Sequence, residues 1–176
     1  MKISISIVFL VLSGILFSQK TLFRGASLHI GNGEFIEKGL LGIDGDRIIL
    51  VKKELIASID NENWDTIIEV SGSHIYPAFV NTNNTLGLTE IDAVRATRDF
   101  DDVGSFNPHV RSQVAFNAES KVGQTVRTNG VLITQATPRG GIVSGTSSIM
   151  SLFAWNWEDA TISSEDGIHL NWPAAQ

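Results

Sequence analysis

The chain has 176 residues, of which 43% are hydrophobic and 18% are charged, and this composition excludes an intrinsically disordered chain. The formal net charge is −6 and the 13 lysines and arginines form no cluster, which excludes the basic surface of a nucleic-acid-binding protein. The absence of cysteine excludes disulfides, thiolate nucleophiles and zinc–thiolate sites.

The amino-terminal stretch, residues 1–18, has the order of features found in a signal peptide. Lys2 supplies the positive charge, residues 3–17 are predominantly apolar, and the small residue Ser18 follows. The apolar run is shorter than the roughly 20 residues of a membrane-spanning helix. We therefore predict cleavage near Ser18 and Gln19 and an exported protein, periplasmic or secreted, with no stable membrane span after cleavage. An uncleaved membrane anchor is the alternative.

Residues 19–76 are predicted to form a small β-sandwich, the first domain of the mature chain. Short apolar runs alternate with turn signals, and Asp44-Gly45-Asp46 between two such runs indicates a hairpin. The predicted strands are residues 21–23, 26–30, 40–43, 47–51, 66–70 and 74–80.

Residues 77–176 change in character and are predicted to begin an α/β fold. Residues 113–129 are helical in composition and end in an Asn-Gly helix stop signal, and residues 131–136 follow as a buried strand. A last strand is predicted at 167–173. The predicted fold class is therefore α/β with a β-rich amino-terminal part.

Four stretches, in this order and spacing, carry a resemblance to a known family. They are residues 21–26, the turn Gly31-Asn32-Gly33, residues 43–48 and residues 75–81. Together they resemble the amino-terminal portion of the amidohydrolase superfamily, especially its exported imidazolonepropionase-like branch. The resemblance implies a composite β-sandwich domain over 19–76, then the first units of a TIM-type barrel over 77–176. It also implies hydrolysis of carbon–nitrogen bonds other than peptide bonds.

The resemblance further implies a divalent metal such as zinc, which activates a water molecule. In the family the first barrel strand ends in Asp-x-His-x-His, and residues at i and i+2 point to the same side of a strand. Here the aspartate position holds Asn81, the two histidine positions hold Asn83 and Thr85, and Ala78 replaces a family glycine. Neutral amides and hydroxyls are poor zinc ligands. No metal ligand is therefore predicted within this chain, and its catalytic residues and cofactor stay unknown.

A complete barrel of this type takes about 250 residues, so residues 77–176 have room for about three βα units. The resemblance therefore predicts an incomplete barrel. A second chain or a downstream segment is expected to supply the remaining units.

The four histidines, His29, His74, His109 and His169, are dispersed, and no two have the spacing of metal ligands. We predict structural roles for them. His169 is the strongest candidate for another role, because it lies in a predicted strand beside Asn171.

The glycine-rich segment 140–147 has the spacing of a phosphate-binding loop, but Thr146 stands where that loop needs a lysine. Nucleotide binding is therefore not expected. Two interpretations stay open, a flexible loop at the mouth of a pocket and an ordinary connection.

Two further groups of residues are interpreted as structural. The acidic residues of the stretch 90–102 are interleaved with Arg95 and Arg98, which favours a salt-bridged surface over paired catalytic carboxylates. A core or interface position is favoured over a ligand platform for the aromatic residues Phe153, Trp155, Trp157 and Trp172.

The first functional hypothesis is an amidohydrolase-like hydrolase with a small-molecule substrate. The alternative is a non-catalytic exported binding or scaffold module that needs a partner chain. The absence of the histidine ligands favours this alternative. A complete small β-rich enzyme of another class is a third hypothesis, although no constellation of residues supports it.

Overall fold

A computed structural model describes residues 19–54 and 63–172 of the chain. They divide into two compact units, one ending at Pro77 and the other beginning at Ala78. The predicted signal peptide, residues 1–18, lies outside the described residues. Within the described ranges, no helix combines the length and apolar character that a bilayer crossing requires.

The first unit contains a five-stranded sheet in the order β3-β2-β1-β4, with β5 also paired to β1. β1 is antiparallel to β2, and β2 to β3, whereas β4 and β5 run parallel to β1. The strands are β1 (Lys20–His29), β2 (Phe35–Asp44), β3 (Arg47–Lys53), β4 (Thr66–Glu69) and β5 (His74–Ile75).

The predicted hairpin is confirmed, because Asp44 pairs with Arg47 across the turn between β2 and β3. Gly45 has a φ of 60°, a conformation that glycine adopts without steric cost. The two strands predicted on either side of Gly25 are instead one strand, β1. Gly25 has a φ of 85° and the register shifts beside it, so a β-bulge there lets the strand continue.

The described residues of the first unit do not form the predicted β-sandwich. A sandwich needs two sheets, and the described strands of this unit make a single sheet. β1 is long enough to pair with β4 along residues 21–24 and with β5 along residues 27–28. Both later strands therefore extend the same sheet. Its buried apolar residues are Leu22, Ala26, Leu28 and Leu40.

The second unit contains a four-stranded sheet in the order β6-β7-β8-β9. Its strands are β6 (Phe79–Asn84), β7 (Val131–Ala136), β8 (Val143–Ser151) and β9 (Thr161–Leu170). Its helices are α1 (Lys121–Arg127) and α2 (Trp157–Ala160), with single 3₁₀ turns at Arg95–Thr97 and Ser112–Ala115. Ser120 caps α1 by accepting a hydrogen bond from the amide of Gly123.

The predicted barrel is not confirmed. β6 and β7 are parallel and α1 lies between them in the chain, which makes one βαβ unit rather than three. β7 and β8 are antiparallel, and so are β8 and β9. The physical reason is connection length, since a parallel crossover needs about a dozen residues and only residues 137–142 join β7 to β8.

The core of the second unit consists of Leu88, Phe116, Ala136, Met150, Leu152 and Ala160. Of the four aromatic residues predicted to lie in a core or interface, Trp157 packs against this cluster. The core position is wrong for the other three, because Phe153, Trp155 and Trp172 are 77%, 88% and 94% exposed.

The acidic stretch has the predicted salt-bridged surface at one point, where Arg95 Nη1 lies 3.0 Å from Asp101 Oδ1.

Candidate functional site

The candidate site lies in the second unit, where the parallel strands β6 and β7 end side by side. Carboxyl ends of parallel strands meet at the same edge of a sheet, and such edges commonly hold ligands in α/β folds. The polar residues of this edge are Asn83 on β6 and Gln135 on β7, and Arg139 follows just after β7.

A chain of hydrogen bonds joins all four strands of this sheet. The amide of Asn83 donates to Gln135 Oε1 over 2.8 Å. Gln135 Nε2 donates to Asp166 Oδ2 on β9, and Ser147 Oγ on β8 donates to the same oxygen over 3.3 Å. The Asp166 carboxylate is therefore held in place by two donors, one from β7 and one from β8.

Asn83 has a φ of 51°, in the left-handed region that asparagine tolerates better than most residues. The register of β6 against β7 shifts between Asn81 and Asn84. The regular alternation that would place Asn83 and Thr85 on one side of the strand is therefore interrupted at Asn83. The side chain of Asn84 has a structural role, because its Oδ1 accepts from Leu86 N and from Thr134 Oγ1.

Arg139 is anchored at both ends of the residue. Its backbone amide donates to Phe100 O over 2.6 Å, and its guanidinium Nη2 donates to Asn83 O over 2.7 Å. None of the ion pairs in residues 19–54 and 63–172 includes Arg139. A positive charge is thus fixed at the end of β6 without an ion pair to a carboxylate of the described chain.

His169 on β9 lies opposite Gly145 on β8 and is half-buried. Burial lowers its pKa below the ordinary histidine value of 6.5, and the positive charge of Arg139 lowers that pKa further, while Asp166 acts in the opposite direction. The imidazole of His169 is therefore neutral at pH 7 and able to accept a proton.

We expect the free energy of unfolding to decrease as the pH falls below about 6.5, because His169 is harder to protonate in the folded protein. The unfolded chain protonates this histidine near 6.5 and the folded chain only at lower pH, so the unfolded state binds more protons between the two pKa values. Urea unfolding at about pH 7.5 and about pH 5.5 measures the effect. The variant His169→Gln should lose less stability on acidification than the parent, and an equal loss would contradict this assignment.

The donor set at the end of β6 does not fit the divalent metal that an amidohydrolase implies. Asn83 and Thr85 offer neutral oxygen atoms, and the guanidinium of Arg139 contacts the carbonyl oxygen of Asn83. The guanidinium of Arg139, 2.7 Å from the carbonyl oxygen of Asn83, would repel a metal cation bound at this position. Among the described residues, no group of three or more histidine, aspartate or glutamate side chains is arranged to hold a metal ion.

The remaining histidines lie elsewhere. In the first unit His29 Nε2 is 3.0 Å from His74 Nδ1, and the ring of Tyr76 stacks on His29 with centroids 4.0 Å apart. No local sequence signal predicts this pair, because the pairing of β1 with β5 brings the two histidines together over a long sequence separation. His109 lines a cavity of about 510 Å³ in the second unit together with Asp166.

The glycine-rich segment is not a phosphate-binding loop. Residues 143–147 belong to β8, so they form a strand within the sheet rather than a loop before a helix. Both interpretations that treated the whole of 140–147 as a loop or connection are therefore wrong for these residues.

Comparison with protein-family models finds no match to this chain, and no curated protein matches it. Among solved structures, an amidohydrolase from Thermotoga maritima MSB8 superposes with a TM-score of 0.76 and 19% sequence identity, over 85% of this chain and 38% of that chain. The fold is amidohydrolase-like. The chain spans 38% of the length of this structural relative, and at 19% identity the similarity concerns the fold alone.

Two other solved structures are similar over smaller parts of the chain. A prolidase complexed with N-methylphosphonate-L-proline has a TM-score of 0.35 and 23% identity over 42% of this chain and 17% of that chain. The ochratoxinase of A. niger has a TM-score of 0.38 and 18% identity over 66% of this chain and 25% of that chain. Neither score is high enough to bear on the fold.

Proposed function

We propose that this chain is the amino-terminal part of an amidohydrolase-like hydrolase that cleaves carbon–nitrogen bonds other than peptide bonds. The observation that carries the proposal is the superposition of 85% of the chain on an amidohydrolase with a TM-score of 0.76. The sequence stretches 21–26 and 75–81 support the imidazolonepropionase-like branch, and residues 1–18 support export to the periplasm or the medium.

Within this proposal, His169 is the proton acceptor supplied by the described part of the chain. Its imidazole is neutral at pH 7 because burial and the charge of Arg139 lower its pKa. A neutral imidazole takes a proton from water as the water oxygen attacks the carbonyl carbon. The imidazolium then donates that proton to the leaving nitrogen as the carbon–nitrogen bond breaks. The remaining groups of the site are assigned to a downstream segment or a second chain.

The test is an assay of the native protein, purified from its source, against a panel of simple amides, lactams and N-acyl compounds, each with and without added divalent metal. We expect hydrolysis of at least one compound class, and a loss of about 10²–10⁴-fold in kcat for His169→Gln. The variant His74→Gln is the control, because His74 lies on β5 of the first unit and not on the sheet that carries the candidate site. Activity that survives in His169→Gln would remove His169 from the mechanism.

A non-catalytic exported binding or scaffold module that needs a partner chain is the second candidate function. The end of β6 carries a cation where the family has histidine ligands, which favours a site without that chemistry. In addition, β9 is an edge strand, and its residues Ile162, Ile168 and Leu170 are exposed to solvent. Exposed apolar edge strands commonly pair with another chain. The absence of turnover across the whole panel, with a co-purifying partner chain, would favour this function over the hydrolase.

A further inference from the structure

We propose that the carboxyl end of β6 is a binding site for the carboxylate group of a small organic acid, with the guanidinium of Arg139 as its charged donor. In the family that the fold resembles, this position holds a cation. Here the guanidinium of Arg139 places a positive charge at this position, so the site attracts an anion rather than a metal ion. The inference concerns binding alone and does not depend on hydrolysis by this protein.

Arg139 is held in a fixed position at this edge of the sheet. The backbone amide of Arg139 is bonded to Phe100 O and its Nη2 to Asn83 O, so the side chain is held before a ligand arrives. A guanidinium has five N–H donors, and one has an acceptor among the described residues. The others remain for a planar carboxylate, whose two oxygens match the guanidinium fork. Little conformational entropy is lost on binding, because the donor is already ordered.

Two neutral polar side chains, Asn83 and His169, have no hydrogen-bond partner within the described chain and belong to residues that Arg139 affects. The side-chain amide of Asn83 makes no hydrogen bond within the described chain, since the bonds of this residue use its backbone N–H and C=O. The imidazole of His169 likewise makes no hydrogen bond to the described residues, and it lies close enough to Arg139 for the guanidinium charge to affect its pKa. Neutral donors beside a cation stabilise a bound anion without adding counter-charge.

Two carboxylates of this region, Asp101 and Asp166, form no ion pair with the guanidinium, and Asp101 is paired with Arg95 instead. Asp166 Oδ2 accepts from Gln135 and from Ser147, and no ion pair between Asp166 and Arg139 is formed. The Asp166 charge is therefore stabilised by β7 and β8. The charge of Arg139 is therefore available to a ligand carboxylate.

Arg127 provides a matched comparison in the same unit. Its Nη1 also donates to a backbone carbonyl, Leu152 O, over 3.2 Å, and it too forms no ion pair within the described chain. However, the guanidinium of Arg127 lies over the ring of Phe153, 5.0 Å from the ring centroid. Arg127, Phe153 and Asp159 line one cavity, so a carboxylate is already present beside this arginine. Arg127 lacks the neutral polar side chains described for Arg139. Its substitution therefore measures the general effect of removing an arginine from this unit.

The experiment titrates the full chain with sodium acetate at constant ionic strength, using chloride as the balancing anion, and follows amide and histidine resonances by NMR. We expect saturable shifts at Asn83, Arg139 and His169. We also expect the pKa of His169 to rise in acetate, because a bound anion offsets the charge of Arg139 and linkage is reciprocal. Substitution Arg139→Gln should weaken acetate binding by more than about tenfold, because a charged hydrogen bond is lost. Substitution Arg127→Gln should leave it unchanged.

Three results would overturn the proposal. One is the absence of a saturable shift at these residues in acetate. The second is equal acetate affinity in the parent and in Arg139→Gln. The third is binding of inorganic phosphate but not acetate in a parallel titration, which would contradict a planar carboxylate as the ligand. The two variants are compared only after their circular dichroism spectra match that of the parent, and Arg139→Lys serves in place of a variant that fails to fold. Lysine retains the charge but lacks the fork, so it should bind acetate more weakly than the parent.

Discussion

Replacement of Leu88 by alanine is expected to lower the free energy of unfolding by about 2–5 kcal/mol. Leu88 is 2% exposed and belongs to the core cluster of the second unit, where it packs with Phe116 and Met150. Leu88→Ala removes buried methyl groups and leaves a cavity that the surrounding backbone cannot fully close. Urea unfolding followed by far-ultraviolet circular dichroism measures the change.

The same substitution at an exposed position is the control. Leu170 on β9 is 69% exposed, so Leu170→Ala should change the free energy of unfolding by no more than about 0.5 kcal/mol. If Leu170→Ala destabilised the protein as much as Leu88→Ala, β9 would be covered in solution. That outcome would mean that the exposed edge of the second sheet is an interface.

Replacement of Gly145 by alanine is expected to destabilise the second unit by at least about 1–3 kcal/mol. Gly145 lies in β8 with a φ of 122°, a conformation that residues with a side chain rarely adopt. A Cβ atom at this position would also lie 2.6 Å from Val110 O, where the backbone of the loop passes close to β8. Since Arg111 bridges to Thr146 in the same place, Gly145→Ala should separate this loop from the strand.

Gly167 on the neighbouring strand β9 provides a matched control for the same change. A Cβ atom on Gly167 would have no other heavy atom within 4 Å, and its backbone φ is not in the positive region. We expect Gly167→Ala to alter stability by no more than about 0.5 kcal/mol. Chemical denaturation of both variants, with hydrogen exchange at Val110 and Thr146, distinguishes local opening from global unfolding. Equal effects of the two substitutions would contradict a special role for Gly145.

Local elements of the fold were predictable where local signals determine them. The Asp-Gly turn at Gly45 predicted the β2–β3 hairpin because a two-residue turn of this type strongly favours pairing of its flanking strands. The apolar run ended by Pro138 predicted β7, and its observed bounds, Val131–Ala136, are those predicted. By contrast, the bulge at Gly25 was missed, because a glycine between two apolar runs is equally compatible with a turn.

The candidate site was predictable only in its location. The resemblance over residues 75–81 drew attention to the end of β6 and to the neutral residues Asn83 and Thr85. Gln135, Arg139 and Asp166 carried no signal of their own, because their meaning depends on strand pairings between distant parts of the sequence. His169 was singled out by its place in a strand, whereas its lowered pKa arises from burial and from Arg139.

By itself, the sequence determined the β-rich character of the chain, the hairpin, the resemblance to amidohydrolases and the lack of histidines at the end of β6. These features depend on residue identity and short-range spacing. The tertiary structure alone decided that β8 and β9 run antiparallel, that the first unit is one sheet, and that Arg139 lies against Asn83. Each of these depends on which distant segments pair, and pairing is set by the free energy of the whole packed unit rather than by any local pattern.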